Sequence, residues 1–297
     1  MLPVETIERN VVADSLDAVR VVAELTTNHL GDLGRLETMI RAAHAAGADY
    51  VKLQKRDVAS FYSPDALRAP YASPFGTTVG DYRRQLELGL SDFEHVDKLC
   101  RTLGIGWFAS VLDRPSFDFV QQFSPSMIKL PSTISGHTDF LRYVARNYAG
   151  SVVISTGMTD AAYESFVLKT FSRAERIYLL QCTSAYPAPP GDCNVAVVRH
   201  YHEISVRDRR VIPGYSSHDD GWLASALAVA AGARMIEKHV KSGRTPWAHF
   251  DDVAVDLSNG DFAAYVARIR EAEQLMGSPV KAPAPSEHHK YPCPEAR

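Results

Sequence analysis

VRVVAEL, residues 19–25, followed after a short polar turn by LGRLETMIRAAHAAG, residues 33–47, sets the pattern that the rest of the chain repeats. The first run is short, apolar and rich in β-branched residues, as a buried strand requires; the second is amphipathic at helical spacing. The same alternation predicts further strands at 48–53, 105–111, 126–130, 151–155, 176–182, 210–215 and 233–238, with helical windows between them and a last one at 261–276. Eight successive strand–helix pairs suit a closed (β/α)8 TIM barrel better than an open doubly wound sheet. No GxGxxG follows the first strand to mark a dinucleotide site.

The 297 residues divide into an N-terminal extension (1–18), a catalytic barrel (19–277) and a Pro-rich tail, SPVKAPAPSEHHKYPCPEAR (278–297). One connection is anomalous. From Lys55 to about Leu90 the chain runs through SPDALRAPYASPFGTTVGDY before the second main helix begins near Ser91. A loop leaving the C-terminal end of a barrel strand lands over the mouth where active sites lie.

A net charge of -3 and a pI near 6.4 give no general attraction for nucleic acid or an anionic membrane. The four cysteines are scattered without a CxxC pair, which disfavours a zinc ribbon or a disulfide framework and fits a reducing cytoplasm. The first ten residues carry no apolar signal core, and the longest apolar stretch, 221–233, is too short to span a bilayer and reads as a buried Ala-rich helix. The expectation is a soluble cytoplasmic protein.

In a barrel the inward side chains near strand C-termini face the catalytic mouth. The expected strands place there Glu24 and Thr26–His29, Lys52 and Gln54, Lys129 and Ser132, Ser155–Gly157, Cys182–Ser184, Ser216–His218, and Glu237–His239. A single strand lysine is commonly structural. Two inward lysines, Lys52 and Lys129, need either a doubly charged ligand or a matching set of carboxylates, because unpaired buried ammonium groups cost several kcal/mol. A phosphate beside a carboxylate would serve. The hydroxyls of Ser132, Ser155 and Ser216 could donate to such a ligand or could cap helices. His218 and His239, on adjacent strands beside Glu24, could be hydrogen-bonded core residues or could share one labile divalent ion, with manganese or magnesium favoured over structural zinc.

AELTTNHLGD, AGADYVKLQ, IKLPS, VVISTGM, LLQCTSAYPAPP, GYSSH and GARMIEKH together resemble, in order and approximate spacing, the sialic acid synthase family across roughly residues 20–277. That resemblance implies condensation of phosphoenolpyruvate (PEP) with an aldehyde sugar to give a 3-deoxy-2-ulosonic, sialic-acid-like product. It implies that Lys52, Lys129, Ser132, Ser155, Ser184 and Ser216 hold PEP, that His218 and His239 ligate the metal, and that Glu24 acts in catalysis beside Lys52, Lys129 and His218. Asn28, Gln54 and Tyr186 are expected toward the acceptor. In place of the family's usual segment after strand 8 stands RTPWAHFDDVAVD, whose Asp251 or Asp252 could take the role of the acceptor-binding aspartate. Thr133-Ile134 stands where the family usually has an acidic acceptor contact. The family usually continues into an antifreeze-like domain that completes a partner subunit's site; the expectation is a homodimer or a separate protein supplying that domain. Two other readings compete: a Schiff-base aldolase using Lys52 or Lys129, and a barrel that binds sugar phosphates without turnover.

Overall fold

The computed structural model describes residues 18–248 and 251–287. Eight parallel strands run in chain order: β1 (Arg20–Thr26), β2 (Tyr50–Lys55), β3 (Gly106–Val111), β4 (Met127–Leu130), β5 (Ser151–Ser155), β6 (Ile177–Cys182), β7 (Val211–Ser217) and β8 (Met235–Lys241). Each pairs with the next, and β8 pairs back on β1 from Arg20↔Met235 to Glu24↔His239, which closes the barrel. The outer helices are α1 (Leu33–Ala45), α2 (Leu90–Leu103), α3 (Arg114–Gln121), α4 (Thr138–Asn147), α5 (Ala161–Thr170), α6 (Ala196–Arg207), α7 (Leu223–Ala230) and α8 (Asp261–Met276). The (β/α)8 expectation is met, with strand boundaries within three residues of those predicted.

Local chemistry starts several helices where the chain needs them. Asp32, Asp113 and Asp160 accept from backbone N–H groups of the first turns of α1, α3 and α5, satisfying donors that a helix leaves unpaired. Outward strand residues and the inner helix faces form one continuous apolar layer. Inside the barrel, Val22, Phe108, Met127, Val153, Leu180, Ile212 and Met235 form a separate apolar plug. This plug is the floor of the site described below.

One expectation is extended and one corrected. The long loop expected after β2 carries regular structure of its own: it contains short helices at Val58–Phe61, Pro64–Arg68 and Val79–Gln85 and an antiparallel hairpin, Pro70–Ser73 with Gly76–Thr78. Thr78 and Asp81 cap the last of these helices reciprocally, so polar turn residues build local structure here. The stretch 221–233 is not a buried helix. Only Ser225, Ala228 and Val229 of α7 are buried, while Leu223 is 59% and Leu227 53% exposed, because an outer-ring helix buries one face. The N-terminal extension lies almost wholly outside the described residues. Residues 278–287 of the tail are exposed and carry no helix or strand. No helix among the described residues is long and apolar enough to cross a membrane.

Candidate active site

Two-residue alternation carries each inward row from the apolar plug to a polar layer above it. Val22 leads to Glu24 and Thr26, Phe108 to Ser110, Met127 to Lys129, Val153 to Ser155, Leu180 to Cys182, Ile212 to Ser216, and Met235 to Glu237 and His239. These polar ends, with Lys52, Gln54, Ser132, Tyr186 and His218, line one pocket at the C-terminal mouth. A larger cleft of about 600 Å³ opens at the other end of the barrel around Tyr50, Gly106, Trp107 and Gly150, remote from the polar layer.

The pocket is organised by a buried ionic net. Glu237 accepts from Lys129 at 2.8 and 2.9 Å, from Ser216 Oγ at 2.9 Å, and pairs with Lys52 at 2.8 Å. Lys52 also pairs with Glu24, whose Oε1 accepts from Thr26 N and Thr26 Oγ1 at 3.1 and 2.9 Å. All four charged side chains are at most 5% exposed. Two ammonium groups therefore face two carboxylates, so the lysines' balance comes from the protein itself rather than requiring a ligand. Burial resists ionisation of Glu237, yet Lys129 and Lys52 outweigh it and hold the carboxyl below its ordinary range. Burial pulls Lys52 down to about 7 against the attraction of Glu237, with Lys129 adding to the fall.

Thr26 adopts φ +47°, unusual for a β-branched residue, at a register shift between β1 and β2. The same hydroxyl meets His239 Nδ1 at 2.9 Å, so the strained turn ties Glu24 to His239. His218 Nδ1 lies 2.7 Å from the Thr183 carbonyl. A carbonyl only accepts, so that nitrogen carries the proton and Nε2 keeps its lone pair. Burial lowers His218 to about 4 and His239 well below its usual value, leaving both imidazoles neutral at pH 7. Their rings are 5.3 Å apart. Two neutral imidazoles with engaged Nδ1 atoms fit the donor chemistry of a divalent ion. Among the described residues no group of three His, Cys, Asp or Glu side chains forms a metal cage, which would leave the remaining positions to water and substrate.

Ser132 and Ser184 hydroxyls meet at 2.8 Å beside the β5 turn. A Cβ at Gly157 would come within 2.3 Å of Ser184 Oγ and 3.0 Å of Ser132 Cβ, so glycine is required for the turn to approach the serines. Of the other predicted residues, Gln54 lines the pocket and accepts from the Arg56 guanidinium. Asn28 does not line it: its amide donates to Val240 O at 2.8 Å and ties the first turn to β8. Asp251 lines an adjoining cavity of about 460 Å³, reached past Tyr186, whose ring is 4.2 Å from that of His218. Its carboxylate is engaged by Lys241 Nζ at 3.1 Å and Thr245 N at 2.8 Å. The neighbouring Asp252 lines the same cavity and is exposed.

The model of the NeuB family matches residues 39–281. The chain belongs to the NeuB family. It is 32% identical over 271 residues to a mouse N-acetylneuraminate-9-phosphate synthase, covering 90% of this chain and 74% of the relative. It is 30% identical over 277 residues to an N,N'-diacetyllegionaminic acid synthase of Legionella pneumophila, covering 90% and 76%. The fold matches a crystal structure of N-acetylneuraminic acid synthetase from Leptospira borgpetersenii in complex with citrate, with TM-score 0.78, 22% identity, and coverage of 91% and 89%. In this NeuB-family barrel, sequence reasoning placed Glu237 and Thr26 at the mouth without giving them a role, and passed over the aromatic pair Tyr71 and Trp247. Glu237 had a usable signal, since it shares the inward register of β8 with His239. Tyr71 and Trp247 had none, because the two come together only where Tyr71 OH donates to Trp247 O at 2.6 Å.

Proposed function

We propose that this protein is a PEP-dependent synthase that condenses PEP with an aldehyde sugar to give a 3-deoxy-2-ulosonic acid and phosphate. The observation that carries the reading is the Lys52–Lys129–Glu24–Glu237 net, ringed by serine hydroxyls and the His pair, at the strand ends of a NeuB-family barrel. In the reaction, carbon 3 of PEP forms a bond to the aldehyde carbon, and water adds to the oxocarbenium-like carbon 2. The carbon–oxygen bond of the resulting phosphohemiketal then breaks and phosphate leaves. A manganese or magnesium ion held by His218 and His239 would supply Lewis-acid polarisation of the aldehyde oxygen. Lys52 and Lys129 turn from the carboxylates toward the phosphate and carboxylate of PEP, with Ser132, Ser155, Ser184 and Ser216 as neutral donors. Glu24, held by Thr26, takes the proton of the attacking water. Asn28, Gln54, Tyr186 and Asp251 belong to the acceptor side of this reading, Asn28 by bracing β8 and Asp251 by bracing the loop that bears Asp252.

The test is phosphate release from PEP with manganese across a panel of aldoses and N-acyl hexosamines, with chelator and His218→Ala controls. No release with any sugar sinks the synthase reading; release that survives chelation and His218→Ala removes the metal from it. One observation favours a second reading: a lysine lowered to about 7 resembles a Schiff-base nucleophile. Borohydride with a 2-ketoacid would trap it covalently at Lys52, whereas no adduct forms if Lys52 serves as a charge held between Glu24 and Glu237. The buried free thiols Cys100, Cys182 and Cys193 support a cytoplasmic setting, which we infer with the activity. A homodimer, or a separate protein bearing an antifreeze-like domain, is the expected macromolecular partner, and light scattering distinguishes the two.

A further inference from the structure

Gln54 stands near the end of β2 and lines the pocket, but its amide is a two-ended group. Its oxygen only accepts and its NH2 only donates, and the two ends have nearly the same shape, so β2 alone leaves open which end faces substrate. The residue two positions on decides it. Arg56 donates from Nη2 to Gln54 Oε1. A guanidinium has no acceptor, so the amide cannot turn over without setting N–H against N–H. Gln54 therefore offers the pocket its NH2 and keeps its oxygen turned to Arg56.

The guanidinium is itself fixed from several sides. Arg56 is 6% exposed. Its Nη1 donates to Tyr62 Oη at 2.5 Å, its Nε lies 3.4 Å from Glu87 Oε1, and its backbone N donates to Glu87 Oε2 at 3.2 Å. The rings of Phe61 and Tyr62 lie 5.7 and 5.8 Å from the guanidinium carbon. Glu87 is anchored in turn by Lys55 Nζ at 3.2 Å. Burial raises the Glu87 carboxyl, and Lys55 and Arg56 oppose the rise. The segment after β2 thus does more than lie over the mouth: Tyr62 and Glu87, from its two ends, hold the arginine that holds Gln54.

We infer that Arg56 is a positioning residue: through Gln54 Oε1 it makes Gln54 an obligate hydrogen-bond donor to a substrate oxygen, with Tyr62 and Glu87 keeping Arg56 in place. Which substrate meets that donor rests on the synthase reading, in which Gln54 faces the sugar; the orientation of the amide does not.

Gln54→Glu tests the orientation with little change of shape. A carboxylate at position 54 keeps the oxygen that Arg56 holds and replaces the NH2 with a second acceptor. With PEP and a sugar that supports phosphate release, KM for the sugar should rise at least about tenfold, the scale of one lost hydrogen bond. Arg56→Met should raise it by a similar factor while KM for PEP stays within about twofold; in a Gln54→Ala background it should add less than about twofold, because the arginine acts through that amide. Arg56→Lys keeps a cation beside Glu87 without the planar fork and should recover part of the loss, which separates lost positioning from lost folding. A readout independent of turnover comes from NMR of protein labelled with 15N at the glutamine side-chain amides. The Gln54 pair, assigned by its disappearance in Gln54→Ala, should shift in Arg56→Met while most other glutamine pairs stay in place. A Gln54→Glu variant with the parental sugar KM overturns the inference. So do Arg56→Met and Gln54→Ala effects that multiply in the double variant, or a Gln54 pair unmoved by Arg56→Met. Phosphate release absent with every sugar removes the synthase reading instead, and the Gln54 resonance then decides the inference alone.

Discussion

Replacing Glu237 with Gln tests the ionic net at its centre. Glu237 is the ion-pair partner of Lys129, which is 1% exposed, whereas Lys52 retains Glu24 after the change. Glu237→Gln keeps the shape and one acceptor oxygen but leaves Lys129 as a buried charge without a counter-ion, which costs about 3–5 kcal/mol. At about 2–4 °C per kcal/mol for a chain of this size class, Tm should fall by roughly 6–20 °C in PEP-free buffer. A bound anion returns a partner to Lys129, so PEP should raise Tm of the variant by more than it raises Tm of the parent. Differential scanning calorimetry with and without saturating PEP reads both quantities. Removing both charges with Lys129→Met/Glu237→Leu should be less damaging than Glu237→Gln alone, since no unpaired ammonium is left at that position. A Glu237→Gln variant within about 1 kcal/mol of the parent, with the same PEP response, would refute the assignment of Glu237 as counter-charge.

His29 makes stability pH-dependent: burial lowers it to about 4 from 6.5, so between those values the unfolded chain binds the proton that the folded chain refuses. Stability present above pH 6.5 should fall by about 3 kcal/mol on acidification to pH 4, as 2.5 pKa units at 1.36 kcal/mol each require; urea midpoints that stay flat over this range for the parent would contradict it. Gly157→Ala should lower PEP affinity by at least about tenfold, because its Cβ displaces Ser184 and Ser132, and calorimetric titration with PEP reads the loss. Chelation of divalent ions should weaken PEP binding as well as turnover. The four charged groups of the net already sum to zero, so a multiply charged anion needs added positive charge to enter; unchanged PEP affinity after chelation would refute this link.

The repeating strand–helix grammar was legible because each barrel strand is buried on both faces and so reads as a short apolar run at regular intervals. VVIS at 152–155 and its seven counterparts could be placed without knowing their neighbours. The inward register of Lys52, Lys129 and His239 was legible for the same reason, since side-chain direction alternates along a strand. What answers those side chains was not. Lys129 and Glu237 are 108 positions apart, and only barrel closure, which brings β4 and β8 across one lumen, decides that the lysines are balanced by protein carboxylates. Asn28 could equally have faced substrate or Val240, and the choice belongs to the turn after β1. The segments bearing Tyr71 and Trp247 carry no period to read; their meeting is set by a hydrogen bond between residues 176 apart. Local periodicity therefore determined the barrel and the inward direction of its polar residues. Tertiary closure alone decided their charge partners and the shape of the cavity beside them, because Coulomb and packing terms depend on distance in space and not along the chain.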